Sequence, residues 1–161
     1  MKKIGFTIGK FAPLHKGHQF LIEKALKEMD EFYIIVYETN LINNDIKQRA
    51  SWIKTLYPKV KILYAYNPPN KYGLDEESIR IQIDYLKSII KDIPVTHFYS
   101  SEKYGEFVAK YMNVIDVRVD QERKIVPISA TKIRKNTEEN RNFLEDIVYY
   151  DIEKQGEKYK W

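Results

Sequence analysis

The sequence of 161 residues contains no cysteine. Without a thiol, the chain can form no disulfide bond, offers no thiolate ligand to a metal ion and has no cysteine nucleophile. Three classes of site are therefore excluded at once, and the absence is consistent with a reducing compartment.

Long hydrophobic runs are missing as well. No segment approaches the roughly 20 apolar residues that span a bilayer. The N-terminus begins with charged residues, like a signal peptide, but Gly9, Lys10 and Pro13 interrupt its short apolar stretch. We expect a soluble, cytoplasmic protein with no membrane partner. With 43% hydrophobic residues, the chain can build one core, so we expect a single domain over residues 1–161.

Runs of like charge are also absent. The formal net charge is +4, but basic residues alternate with acidic ones and never form a run of five. This distribution favours a lysine-rich solvated surface over a nucleic-acid interface, and we expect no nucleic-acid partner. A net positive charge also suits a protein that binds polyphosphate anions.

What the sequence does contain is an alternation of strand-like and helix-like segments. The apolar patterns predict strands at residues 3–8, 31–38, 60–66, 96–101 and 114–119, and helices at 17–29, 45–56, 75–91, 104–112 and, mostly helical, about 131–155. Strict alternation predicts an α/β fold: a doubly wound open parallel sheet of about five strands, with additional C-terminal helices. Ligands of such folds bind beyond the carboxyl ends of the strands, near the switch point.

The loop after the first predicted strand, GKFAPLHKGH, has a composition suited to phosphate. Gly9 and Gly17 permit close approach of the backbone to a ligand. We expect Gly17 and His18 to open a helix whose free N–H groups and dipole favour anions. The imidazoles of His15 and His18 can donate hydrogen bonds to phosphate oxygens.

Two other interpretations of the histidine pair stay open at this point. The pair can be two ordinary polar side chains at a helix end. It can also bind a metal, but His97 is the only other histidine and lies in a predicted strand, so a zinc ligand set is incomplete.

A second motif, ISATKIR, follows the fifth predicted strand. Ser129 and Thr131 are residues typical of a helix start, and simple N-capping would explain them. Arg134 lies one turn further on, and its planar guanidinium suits phosphate oxygens. On the predicted sheet, the two motifs would face each other at the carboxyl edge, which is the layout of a triphosphate site.

Together, GKFAPLHKGH and ISATKIR resemble the HxGH and ISxTxxR signatures of the nucleotidyltransferase superfamily. The form of the first motif and residues 100–134 resemble most closely the adenylyltransferase domain of the NadR-type nicotinamide-nucleotide adenylyltransferases. The likeness covers most of residues 3–150. It implies transfer of AMP from ATP to the phosphate of a mononucleotide, with release of pyrophosphate. In the NadR-type family the mononucleotide is nicotinamide mononucleotide and the product is NAD.

The resemblance also implies roles for individual residues. His15 and His18 would bind the triphosphate and stabilise the transition state, with Lys10 and Arg134 as further catalytic residues. The substrate-binding residues that it implies are Gly9, Phe11, Gly17, Arg49, Ser129 and Thr131. Mg²⁺ would accompany ATP, held by phosphates and water rather than by protein ligands.

The sequence departs from this family in two respects. Relatives that use nicotinamide mononucleotide carry a tryptophan that stacks on the nicotinamide, and residues 66–89 contain none. Tyr72 or Tyr85 are candidates for that role, since any aromatic face can stack. In addition, the chain lacks the G-x-x-x-x-G-K-[ST] motif of the kinase that follows in bifunctional relatives, so we expect a stand-alone adenylyltransferase.

Several alternatives remain at the level of sequence. The same chemistry can use another acceptor, such as pantetheine phosphate or flavin mononucleotide, or nicotinate in place of nicotinamide mononucleotide. The chain can also be a nucleotide-sensing module without turnover. Cytidylyltransferases typically carry an RTxGIST-like second motif where this chain has VPISATKIR. The oligomeric state, a homo-oligomer included, is left open.

Overall fold

Strands and helices alternate along the chain in the computed structural model, which describes residues 1–71 and 73–158. The strands are β1 (Ile4–Gly9), β2 (Glu31–Tyr37), β3 (Lys61–Ala65), β4 (His97–Ser100) and β5 (Ile115–Arg118). The helices are α1 (Lys16–Glu28), α2 (Ile46–Leu56), α3 (Glu76–Ile90), α4 (Gly105–Met112), α5 (Ala130–Lys135) and α6 (Asp146–Lys158), with a 3₁₀ turn at Arg141–Phe143. The predicted elements are present, with ends shifted by one or two residues except near the C-terminus.

The strands form one sheet in the order β3-β2-β1-β4-β5, and every pairing is parallel. Strand β1 lies at the centre, paired with β2 from Ile4 opposite Glu31 to Gly9 opposite Val36. On its other side it pairs with β4 through Gly5 and His97. The chain therefore changes direction of winding between β1 and β4, and the prediction of a doubly wound parallel sheet is confirmed. Its switch point lies where Gly9 and Ser100 end their strands.

Two apolar clusters cover the two faces of the sheet. One contains Ile34 of β2 with buried residues of α1, α2 and α6, among them Ile22 and Trp52. The other contains Ile35 with buried residues of α3, among them Leu86. Neighbouring residues of a strand point to opposite faces, so a strand buried on both sides is apolar throughout, as β2 is.

The C-terminal region differs from the continuous helical segment expected at about 131–155. Helix α5 ends before Asn136, and the side chain of Asn140 donates hydrogen bonds to the carbonyls of Lys132 and Asn136. These bonds satisfy the carbonyls that a continuing helix would use. Helix α6 then packs on the domain: Trp52 Nε1 donates to Asp151 Oδ2 at 2.7 Å, and Asn44 Nδ2 donates to the Asp151 carbonyl at 3.2 Å.

Among the residues that the structure describes, no helix combines the length and apolar character that crossing a bilayer requires.

Candidate active site

A cavity of about 720 Å³ opens at the carboxyl edge of the sheet, above the switch point. Its walls come from the loop after β1, the loop after β4 and the segment that leads into α5. They include nearly all the residues selected from the sequence: Gly9, Lys10, Phe11, His15, Gly17, His18, Ser129, Thr131 and Arg134. The two sequence motifs, which are more than 100 residues apart in the chain, therefore line one cavity.

The two histidines form a reciprocal capping arrangement at the start of α1. His15 is the N-cap, and its Nδ1 accepts hydrogen bonds from the backbone N–H of Gly17 at 3.0 Å and of His18 at 3.3 Å. In return, His18 Nδ1 accepts from the backbone N–H of His15 at 3.1 Å. This is the geometry of a capping box, with imidazoles in place of the usual Ser or Thr and Glu. The rings stack, with centroids 3.7 Å apart.

This arrangement corrects the expectation that free N–H groups of α1 bind an anion. The N–H groups of Gly17 and His18 are already bound to His15 Nδ1. Gly17 is required for another reason than ligand approach, because a Cβ there would lie 2.8 Å from His15 Cε1. Glycine is thus the residue that lets the His15 ring fold back onto the helix.

The capping bonds also determine which ring nitrogens are free to bind a ligand. Since each Nδ1 accepts a hydrogen bond, the proton of each neutral ring is assigned to Nε2. His15 and His18 can therefore both donate an Nε2–H to phosphate oxygen. The hydrogen-bond donors that this motif offers to a phosphate are therefore the imidazole side chains and not the backbone N–H groups of Gly17 and His18.

Both rings are neutral at pH 7. Burial, with a smaller effect of the Arg123 charge, lowers the pKa of His15 to about 3. The pKa of His18 is also well below its usual value, because of burial first and then of the charges of His15 and Arg123. The histidines are thus donors without charge, and the positive charge of the cavity comes from lysine and arginine.

A pH-dependent stability follows for His15. The ring is only 2% exposed, its folded pKa is about 3 and an unfolded histidine titrates near 6.5, so the unfolded state binds more protons in acid. Its stabilising contribution is complete above about pH 6.5 and is lost as the pH falls from there towards 3. We expect up to about 1.4 kcal/mol of unfolding free energy lost per pH unit from this residue. The free energy of unfolding, measured in urea between pH 5 and 7, should depend less steeply on pH in His15→Asn than in wild type. An equal pH dependence of the two proteins would contradict the low pKa of His15.

The second motif is connected to the first through Arg134. Its Nη1 donates to the carbonyl of Ala12 at 2.7 Å, and its Nη2 donates to Thr131 Oγ1 at 3.3 Å. Ser129 caps α5, with Oγ accepting from the Lys132 N–H at 3.2 Å, and its hydroxyl proton remains a donor. Ser129 therefore both caps α5 and forms part of the cavity wall.

Of the catalytic and substrate-binding residues implied by the resemblance, Arg49 does not line this cavity. Its side chain is fully buried at the start of α2, where Nε donates to the Asn44 carbonyl at 3.1 Å and Nη1 to the carbonyls of Lys10 and Tyr37. Within the described residues, its buried Nη2 has no hydrogen-bond partner. The structure thus gives Arg49 contacts with the backbone of the motif loop, and a phosphate contact stays a prediction.

Arg123 is a cavity residue that the sequence analysis missed. It lies between β5 and the second motif, and its charge acts on both histidines. The sequence indicated this residue only weakly. Arg123 lies within residues 100–134, which carry the family resemblance, but outside both signature motifs.

Helices α3 and α4 also contribute to the cavity wall, with mostly apolar residues. These include Ile83, Leu86 and Phe107. Of the two tyrosines proposed as stacking residues, Tyr72 lies outside the described residues. Tyr85 does not line this cavity; its hydroxyl donates to the Tyr66 carbonyl at 2.6 Å.

The acidic residues of the cavity wall do not form a metal centre. Asp120 is one of them, and its carboxylate accepts backbone hydrogen bonds from Lys124, Ile125 and Val126. No group of three or more His, Asp or Glu in residues 1–71 and 73–158 is arranged to hold a metal ion.

Comparison with known proteins places the chain in a family. The sequence profile described as cytidylyltransferase-like matches residues 6–136. The chain belongs to the cytidylyltransferase-like family. The superfamily resemblance carried by the two motifs is thereby confirmed, and both motifs lie inside the matched region.

Two relatives of this cytidylyltransferase-like protein have names that describe their activity. The trifunctional NAD biosynthesis/regulator protein NadR of Salmonella typhimurium is 29% identical, over 84% of this chain and 37% of its own length. Phosphopantetheine adenylyltransferase of Fusobacterium nucleatum is 25% identical, over 98% of this chain and 99% of its own length. The chain thus spans little more than a third of NadR but nearly all of the second relative.

Solved structures of similar fold support the fold assignment. A NadR protein in complex with NAD and AMP-PNP has a TM-score of 0.67 at 21% identity, covering 91% of this chain and 46% of that one. A bifunctional NMN adenylyltransferase/ADP ribose pyrophosphatase from Francisella tularensis has a TM-score of 0.66 at 16% identity, covering 96% and 49%. At these identities the likeness establishes the fold of the cytidylyltransferase-like chain.

Proposed function

We propose that this protein is an adenylyltransferase that transfers AMP from ATP to the phosphate of nicotinamide mononucleotide, forming NAD and releasing pyrophosphate. The observation that carries the proposal is the single cavity that joins both motifs. There the Nε2–H groups of His15 and His18 and the guanidinium of Arg134 line the same space.

The reaction needs positioning more than it needs a base. An oxygen of the acceptor phosphate attacks the α-phosphorus of ATP, the bond to the bridging oxygen breaks, and pyrophosphate leaves with the electron pair. A phosphate monoester with a second pKa near 6 is largely dianionic at neutral pH, so it attacks without losing a proton to the enzyme. The rate enhancement then depends on alignment and on stabilising negative charge.

The residues of the cavity divide this task by charge. Neutral His15 and His18 donate hydrogen bonds to oxygens whose charge increases in the transition state, and their low pKa values keep this state constant across neutral pH. Arg134 supplies positive charge, with its guanidinium oriented by the Ala12 carbonyl and Thr131. Lys10 lies on the same wall and adds a second charge.

Mg²⁺ enters this proposal as a companion of ATP. The Asp120 carboxylate is occupied by backbone N–H groups, so the described residues fit a metal bound to phosphates and water rather than to a protein cage. Its contribution when bound is to neutralise phosphate charge.

Pantetheine phosphate is the second candidate acceptor. It is favoured by one observation, the match to a phosphopantetheine adenylyltransferase over nearly the full length of both chains. The apolar wall of α3 and α4 is compatible with either a nicotinamide ring or an extended pantetheine arm.

The test is pyrophosphate release from MgATP in parallel with nicotinamide mononucleotide, nicotinate mononucleotide, pantetheine phosphate and flavin mononucleotide. We expect release only with a nicotinamide-type acceptor, and NAD identified as the product by mass spectrometry. Release with pantetheine phosphate alone would assign the second acceptor. ATP binding without release in any reaction would indicate a sensing module and overturn the proposal.

A further inference from the structure

Arg123 lies beside the second motif and lines the cavity that both motifs share. Its Nη1 donates to the carbonyl of Ile128 at 2.7 Å, and Ile128 directly precedes Ser129, the cap of α5. The histidines of the first motif line the same cavity, and the charge of Arg123 contributes to their lowered pKa values. Arg123 thus contacts the second motif and shares the cavity with the first.

The loop that carries Arg123 has an unusual and well-supported backbone. Asp120 and Arg123 both have left-handed conformations, with φ of 47° and 54°, which residues other than glycine adopt infrequently. The Arg123 N–H donates to the Asp120 carbonyl at 2.9 Å, and the Asp120 carboxylate accepts from three backbone N–H groups further along the loop. Conformations of this kind persist where the surrounding contacts enforce them, often at ligand sites. Arg123, which this backbone carries, lines the cavity.

The charge of Arg123 has no ion-pair partner within the described residues. The ion pairs found there involve Arg118 and Arg141 but not Arg123. The carboxylate of Asp120, three residues before Arg123, accepts hydrogen bonds from the loop backbone. Counting the described residues alone, Arg123 with Lys10, Lys71, Lys103 and Arg134 gives the cavity wall five basic side chains against two acidic ones. An excess of fixed positive charge at one wall is suited to a polyanion.

We propose that Arg123 is a substrate-binding residue that contacts the polyphosphate of ATP, between the histidines of the first motif and Ser129 of the second. The inference rests on the proposed function for the identity of the ligand. It adds a cation that neither motif contains, at the point where the two motifs meet.

The test compares the binding of MgATP, inorganic pyrophosphate and AMP by calorimetry in wild type and Arg123→Gln. Hydrogen bonds to charged groups are strong, so we expect ATP and pyrophosphate to bind about ten- to hundredfold more weakly to the variant. AMP, which lacks the β- and γ-phosphates, should change by no more than about twofold. Arg123→Lys, which keeps the charge but not the planar fork, should give an intermediate loss for ATP.

Lys124→Gln is the matched control, because it removes the same charge from the neighbouring residue. Lys124 is exposed, pairs with Glu122 at 2.8 Å and does not line the cavity, so its variant should bind all three ligands like wild type. If Arg123→Gln does not fold, Arg123→Lys serves alone, with weaker ATP binding and unchanged AMP binding expected.

The outcomes separate this inference from the proposed function. Equal ATP binding by wild type and Arg123→Gln, or equal losses for ATP and AMP, would overturn the role of Arg123. A wild type that binds ATP but transfers no AMP, with the expected loss in Arg123→Gln, would overturn the proposed function alone. A wild type that binds neither ATP nor pyrophosphate would overturn both.

Discussion

Replacing His18 with asparagine should lower kcat for pyrophosphate release by about two to three orders of magnitude while the protein remains folded. Asparagine places a polar atom where histidine has Nδ1, so it can still accept the backbone N–H of His15. It has no counterpart of the Nε2–H that, in the proposed function, donates a hydrogen bond to phosphate. The decrease in kcat therefore reports the loss of the Nε2–H donor and not the loss of the helix cap. The readout is kcat at saturating MgATP with the acceptor identified above.

Glutamine at the same position is the complementary variant. Its amide nitrogen corresponds to Nε2, so His18→Gln should retain part of the activity but weaken the start of α1. Loss of a capping interaction costs about 1 kcal/mol, which urea unfolding can resolve. Wild-type turnover in His18→Asn, with normal stability, would refute the role of His18 in the transition state.

The fold was predictable because its determinants are local and periodic. The nearly continuous apolar character of residues 31–38 indicated a strand buried on both faces, and β2 has that environment. Alternation of strands and helices then left few possible topologies. The break between α5 and α6 was not predictable, because it depends on Asn140 reaching back to carbonyls four and eight residues earlier, a contact that no periodicity signals.

The candidate site was predictable as a set of residues but not as a set of contacts. The motifs identified both histidines, Ser129, Thr131 and Arg134, and all five line one cavity. That His15 caps α1 was not foreseen, because histidine is not among the preferred N-cap residues and the bond depends on the loop backbone. Arg123 was missed for a related reason. Its loop contains two left-handed residues, Asp120 and Arg123, and neither is the glycine that usually indicates such a conformation.

Arg49→Met should lower the free energy of unfolding by about 3 kcal/mol, because a buried polar group left without a hydrogen-bond partner costs about 1 to 3 kcal/mol. The guanidinium satisfies the carbonyls of Lys10, Tyr37 and Asn44 inside the protein, and methionine satisfies none of them. Lys47→Met is the matched control, because it removes a charge from an exposed position of the same helix. It should stay within about 0.5 kcal/mol of wild type in urea unfolding.

The same variant distinguishes the two roles considered for Arg49. Because the Lys10 carbonyl belongs to the motif loop, loss of the guanidinium should also disorder the cavity wall and weaken the binding of ATP and AMP alike. Arg49→Lys, which reaches fewer acceptors, should recover part of both stability and binding. If Arg49→Met were instead as stable as wild type and lost affinity for ATP but not for AMP, Arg49 would contact phosphate directly. The buried backbone contacts would then describe the protein before the ligand binds, and the original prediction from the sequence would be correct.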